Sequence, residues 1–215
     1  GNSRVKAVYV RRTDTAGNQD FTDASSIASF TTDQTNESHG THVLGIMAGT
    51  NSAEGTFNGG SGKIPFYGSS YDADIVVGCG DFTDNAILDG IAAVVNKAKE
   101  LGQPAVVNLS LGNNTGAHDP NSANSKFLDA LGKDAIICIS AGNEGDLKIA
   151  LKKELTETDK VVKTMIYPYA YQYDATQPEA TLNNTIRYGS IAFYSDDDTP
   201  FDVQAVIYNK SRNYR

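Results

Sequence analysis

The apolar positions fall into two textures along the chain. Up to about residue 150 they come in short solid runs alternating with helix-spaced stripes. Val5–Val10 (VKAVYV) predicts a strand, and residues 13–37, rich in Thr, Asp, Ser and Asn, predict a long loop. From His39 to Thr50, Val43, Leu44, Ile46 and Met47 are spaced for one helix face, with Ser38 a suitable N-cap. Residues 51–62 read as a Gly/Asn/Ser loop, and Ile75–Val77 as a short buried strand ending at Gly78–Gly80. The clearest helix runs from Asp84, a plausible N-cap, to Leu101. Its apolar residues Ile87, Leu88, Ile91, Val94, Val95 and Ala98 share a face, and Gly102-Gln103-Pro104 stops it. Ala105–Leu111 is a strand, Ser125–Leu131 a helix closed by Gly132, and Ala135–Ser140 a strand ending in Ala141-Gly142-Asn143-Glu144-Gly145. Strands alternating with helices imply an α/β fold, a parallel sheet with helices on both faces, whose strand C-terminal ends carry the site.

Beyond residue 150 the period changes to two. Val161–Tyr173, Thr185–Tyr194 and Phe201–Tyr208 alternate apolar and polar residues, are dense in tyrosine, and are separated by turns such as Ser195–Asp198. This predicts a half-buried, antiparallel β-rich module. Charge shifts at the same place: residues 1–150 hold 17 acidic and 10 basic residues, residues 151–215 hold 9 and 8. The expected division is therefore 1–149 for the α/β part and 150–215 for the β-rich part.

Composition narrows the partners. The net charge of −8 argues against a nucleic-acid partner, which needs a basic surface. No apolar run of eighteen residues is present, so no membrane-spanning segment is expected. Cys79 and Cys138 do not form a metal-ligand spacing, and no metal ligands or cofactor are assigned.

Three segments can carry chemistry. In Asn36-Glu37-Ser38-His39-Gly40-Thr41-His42-Val43 a histidine sits at a loop-to-helix junction, from which an imidazole can project into a cleft and exchange protons. Asn108-Leu109-Ser110-Leu111-Gly112 is the end of a strand freed by glycine, and such an end can pair with an extended peptide. In Ser140-Ala141-Gly142-Asn143-Glu144-Gly145 an asparagine amide at a strand end can donate to a developing oxyanion. Taken singly, each is also ordinary structure: a buried or surface histidine, a core strand, a turn asparagine beside two glycines.

Together and in this order the three segments resemble the subtilase family of serine peptidases. SHGTHVLGIMAG is similar to the family's histidine motif, NLSLG to its substrate-binding strand and SAGNEG to its oxyanion motif; YGSSYDADIVVG is similar to the segment between the first two. The resemblance covers residues 1 to about 146. It implies His39 as general base and Asn143 as oxyanion donor. It also implies that Ser110, Leu111 and Gly112, with Ala141 and Gly142, line the primary specificity pocket. His42 falls on the family's structural histidine, a hydrogen-bonded helix residue, while His118 in its polar loop is a solvated bystander. The family's strand order would put Ala105–Leu111 between the strands bearing Cys79 and Cys138. Strands two apart lie about 9–10 Å from each other, too far for a disulfide, so both thiols are expected to be free.

Two parts of the family pattern are missing. Asp14-Thr15-Ala16-Gly17 is the one candidate for the aspartate motif, but Arg11-Arg12-Thr13 precedes it instead of a buried strand end, and its glycine is displaced by one. No Gly-Thr-Ser occurs anywhere, so the serine motif is absent. The loop Gly80–Asp84 is also shorter than the family's. The expectation is an internal piece of a subtilisin-like endopeptidase, inactive by itself, with the β-rich residues 150–215 inserted before the serine segment. The alternative is a non-catalytic relative used for binding or scaffolding. The resemblance further implies a peptide or protein substrate, a secreted, cell-surface or periplasmic location, and calcium in the parent protein. A sheet cut short at Arg215 would leave an unpaired edge prone to self-association.

Overall fold

The computed structural model describes residues 4–33, 37–51, 54–57, 59–116, 118–146, 149–165, 169–170, 187–188, 191–195 and 200–206. They fall into two compact units, one of residues 1–114 and 118–149, the other of 115–117 and 150–215.

In the first unit, β1 (Val5–Arg11) pairs in parallel with β5 (Ile75–Gly80) and antiparallel with β2 (Gln19–Phe21). Ala7, Val8, Tyr9, Val10 and Arg11 are all buried. Successive strand residues point to opposite faces, so both faces of β1 are covered. The helices α1 (Ala24–Ser29) and α3 (Asp84–Glu100) both pack on this strand. The buried charge of Arg11 is answered from two elements, by Asp20 on β2 and Asp89 on α3, each at 2.5 Å.

A second parallel pair joins β6 (Ala105–Leu109) to β7 (Ala135–Ile139), with Val107 opposite Ile137. The core here is Ile91 and Val95 of α3 against Val107, surrounded by Ile87, Leu88, Leu109, Ile137 and the α4 (Ala123–Leu131) residues Leu128 and Leu131. The stripe read from the sequence is thus the buried face of α3. Its N-cap is Thr83, whose hydroxyl accepts from the Ala86 N–H at 3.3 Å; Asp84, expected in that role, is the first helical residue and lies at the positive end of the helix dipole.

Several expectations are corrected. The polar stretch 13–37 holds β2 and α1, the latter nucleated by a capping box between Asp23 and Ser26. The stretch 51–62 holds most of a hairpin of β3 (Glu54–Phe57) and β4 (Gly60–Lys63), whose Phe57 ring meets Phe66 edge-on at 6.1 Å. Both depend on short polar capping or hairpin contacts that carry no apolar period. The expected single sheet is two parallel pairs: among the described residues β5 and β6 share no ladder, so the placement of β6 between the two cysteine strands is not formed. Both cysteines are nonetheless free.

In the second unit, residues 150–165 carry no regular element. Lys153 Nζ holds Asp159 at 2.6 Å and the Val161 carbonyl at 2.8 Å. The short strands β8 (Tyr169–Ala170) and β9 (Arg187–Tyr188) pair antiparallel. The alternating runs predicted three longer strands. Residues 161–165, 191–195 and 201–206 form none, because an alternating run becomes a strand only where a neighbour completes its ladder. Residues 166–168, 171–173, 185–186, 189–190 and 207–208 of those runs lie outside the described residues.

Candidate active site

The histidine segment forms α2 (His39–Ala48), starting one residue after Ser38. This helix is held by its C-terminal end. The backbone N–H groups of Gly68, Ser69 and Ser70 donate to the carbonyls of Gly49, Ile46 and Met47 at 2.8, 3.0 and 2.7 Å. Arg4, just before β1, donates from Nη2 to the Ala48 carbonyl at 2.5 Å and from Nη1 to Ala73 at 3.0 Å. These donors satisfy carbonyls that a helix end leaves orphaned, and the guanidinium suits the negative end of the dipole. Ala48 is buried there, whereas the first turn, His39 included, is exposed. Ser38 occupies the N-cap position but makes no side-chain capping bond, its backbone being helical where a capping residue is normally extended. His42 was expected to be hydrogen-bonded. Its backbone N–H bonds the Ser38 carbonyl at 3.1 Å, but its side chain is exposed and makes no hydrogen bond among the described residues. His118 is exposed, in a loop with φ of +50°.

The other two segments emerge side by side from β6 and β7. The Ser140 N–H donates to the Leu109 carbonyl at 3.0 Å, continuing the parallel ladder past the end of both strands. Its hydroxyl donates to the Leu111 carbonyl at 3.1 Å. Ser110–Gly112 is thereby fixed beside Ser140–Gly142. Asn108 Nδ2 donates to Ser110 Oγ at 2.9 Å, which turns that hydroxyl toward the strand. Leu111 is half-buried; Ser110, Gly112, Ala141, Gly142 and Asn143 are exposed. The chain turns at Gly142, at φ of +90°, and the next residue is Asn143, whose backbone N–H donates to Glu144 Oε2 at 2.9 Å. His39, Ser110–Gly112 and Asn143 belong to the same compact unit, and among the described residues no hydrogen bond links His39 to the other two segments.

Asp14 is accounted for by its own turn. Its carboxylate pairs with the Arg12 guanidinium and accepts from the Ala16 N–H at 3.1 Å; the Arg12 bond first, then the Ala16 bond, hold its pKa below the usual carboxylate range. Among the described residues it makes no hydrogen bond to His39. Nearby, Asp81 accepts from both Thr13 Oγ1 at 2.6 Å and Thr13 N–H at 2.7 Å, which lower its pKa and tie the ends of β1 and β5 together. Among the described residues no group of three or more His, Cys, Asp or Glu side chains could hold a metal ion.

Sequence reading missed the groups that hold the site. Arg4 lies outside any motif, and Gly68–Ser70, though inside the segment YGSSYDADIVVG, carried no assigned role; only the fold brings them to the end of α2. Glu144 stood inside a quoted motif, and its place beside Asn143 was the available signal.

Parallel strand pairs joined through one crossover helix, with polar turns at their C-terminal ends, define an α/β protein. The subtilase family profile matches residues 5–195, most of the chain and part of both compact units. The chain belongs to the subtilase family. The solved structure of the CspB protease of Clostridium perfringens is similar, with a TM-score of 0.51 and 24% identity, covering 67% of this chain and 31% of that one. That likeness supports the fold, and the chain spans less than a third of that protease. No curated protein matches the chain. Among the described residues no helix is long and apolar enough to cross a membrane.

Proposed function

We propose that this chain supplies the general base and the oxyanion donor of a serine endopeptidase whose aspartate and nucleophilic serine lie outside these 215 residues. The observation that carries the reading is the continuation of the β6–β7 ladder through Ser140. It fixes Ser110–Gly112 beside the segment that leads into Asn143, which supports reading Ser110–Gly112 as the strand that binds substrate. An extended substrate docked there would have its side chain between Ser110-Leu111-Gly112 and Ala141-Gly142. Its scissile carbonyl would then face the Asn143 amide. His39 would take the serine proton as the nucleophile attacks and return it to the leaving amine, and the Asn143 amide N–H would stabilise the tetrahedral oxyanion. An aspartate supplied by the rest of the protein would orient the His39 ring.

Two consequences belong to the same reading. The chain alone hydrolyses no peptide bond, since Ser110 Oγ and Ser140 Oγ are both engaged in local hydrogen bonds and neither is paired with His39. Residues 150–215 form an inserted module, and the protein acts outside the cytoplasm, as most of its family does. The test is Asn143→Ala in the full-length peptidase, assayed on a fluorogenic peptide. A fall in kcat of roughly 10²–10³ with KM nearly constant is expected. Unchanged turnover would refute the oxyanion role, whereas no turnover in the unsubstituted full-length protein would favour a binding function.

A further inference from the structure

We propose that Glu144 is the positioning residue of the oxyanion donor, a role that rests on the reading of Asn143 given above. Three consecutive residues interlock at this turn. Gly142 has φ of +90°, a conformation that L side chains rarely adopt, and a Cβ built on it would lie 2.7 Å from Glu144 Oε2. The carboxylate oxygen therefore occupies the room that the missing side chain leaves. From there it accepts the backbone N–H of Asn143 at 2.9 Å. The bond runs from a side chain to the residue before it, so it spans only the peptide unit that carries the Asn143 Cα. Glu144 is half-buried, whereas Asn143 and Gly145 on either side are exposed.

The consequence concerns entropy and aim. A loop asparagine that follows a glycine has a mobile backbone on that side, and an amide that wanders does not serve a transition state. Clamping the Asn143 N–H fixes one end of its peptide plane. The direction of the Cα–Cβ bond follows, and the side-chain amide sweeps a narrower arc. A charge-assisted hydrogen bond is among the stronger anchors available to an otherwise open turn. The carboxylate also has a reason to stay clear of the developing oxyanion, since its accepting oxygen is committed to the backbone on the Gly142 side. Glu144 touches no reacting atom in this arrangement; it acts through Asn143.

The test uses the full-length peptidase with Glu144→Ala, Glu144→Gln, Asn143→Ala and the Asn143→Ala/Glu144→Ala double variant. Kinetics are read on one peptide substrate, and thermal unfolding confirms that each variant is folded. Glu144→Ala should lower kcat by roughly tenfold, short of the roughly 10²–10³ lost with the donor itself, at nearly constant KM. Glu144→Gln keeps an accepting oxygen of the same reach and should recover most of the rate. In the Asn143→Ala background, Glu144→Ala should have almost no further effect, because there is no donor left to aim. Three results would overturn the proposal while leaving the Asn143 role intact. These are an unchanged kcat in Glu144→Ala, an equal loss in the Ala and Gln variants, and full additivity in the double variant. An Asn143→Ala variant with normal turnover would instead sink the oxyanion assignment, and this proposal with it.

Discussion

Strand β1 is buried without a break from Ala7 to Arg11, while in β6 and β7 burial alternates: Val107 is 6% exposed, but its neighbour Val106 is 62% exposed and the facing Ile136 65%. Both pairs are parallel, both are fed by α3, and both are rich in Val and Ile. They differ in what lies against them. β1 has α1 and α3, whereas β6 and β7 share α3 and α4, whose contacts fall on the Val107, Leu109 and Ile137 face. Parallel strands are ordinarily covered on both faces, so an open apolar face on β6–β7 is unusual for the class. The comparison also divides the site. The histidine helix α2 is tied, through Arg4 and Gly68–Ser70, to the segments that flank β1 and β5. The oxyanion turn and the substrate strand grow from β6 and β7. Catalysis in the proposed sense needs both halves held in one geometry, and the shared α3 is the element that spans them.

The difference can be broken or sharpened by substitution. The largest effect is expected at the end of the first pair. Gly80 has φ of +121°, and a Cβ there would meet the Arg11 carbonyl oxygen at 2.2 Å. Gly80→Ala should therefore destabilise by about 3–5 kcal/mol, adding backbone strain to a backbone clash. Urea denaturation of the chain measures it, and a loss below about 1 kcal/mol would mean that the β1–β5 ends are not so tightly joined. Next comes the shared helix. Val95 is wholly buried at the centre of the core, and Val95→Ala should cost about 2–3 kcal/mol. A more direct contrast follows from placing the same change on each pair. Val8 is 3% exposed, so Val8→Thr should cost about 1–3 kcal/mol by burying a hydroxyl, while Val106→Thr should stay within about 0.5 kcal/mol. Equal costs at the two positions would show that the second face is covered in solution.

The smallest effect separates the cysteines. Cys79 on β5 is half-buried, and burial first, then the Asp33 charge, push its thiol up to about 11; Cys138 on β7 is exposed. Iodoacetamide at pH 8 should label the exposed Cys138 first, with Cys79 much slower because its raised pKa leaves little thiolate and it is half-buried. Mass spectrometry of the time course checks this. The sign of the linkage is fixed as well. The folded value of Cys79 is raised above the ordinary thiol value, so its contribution to stability is fully present below about pH 8.5 and is lost as pH rises through about 11.

Part of this protein could be read from the sequence because it rests on local periodicity. Helix α3 repeats its apolar residues at helical spacing, which alone places its face and, to within a residue, its ends. Strands β1, β6 and β7 are short apolar runs bounded by polar residues or glycine, and were legible for the same reason. The three chemical segments were legible because each motif is contiguous: His39 opens α2, Ser110–Gly112 follows β6, and Asn143 follows the Gly142 turn after β7.

What only the tertiary structure decided is everything that depends on a neighbour distant in sequence. Val106 and Val107 are the same residue type in one apolar run, yet one is open to solvent and the other is core, because α3 covers a single face. Arg4 caps a helix 44 residues away, a relation no local pattern encodes. The alternating runs beyond residue 150 show the same limit from the other side. Their period was plain, but a strand is a property of two chains of hydrogen-bonding groups, and among the described residues only Tyr169–Ala170 and Arg187–Tyr188 find each other. Sequence determines which face of an element would be apolar; only the packing of one element on another determines whether that face is buried.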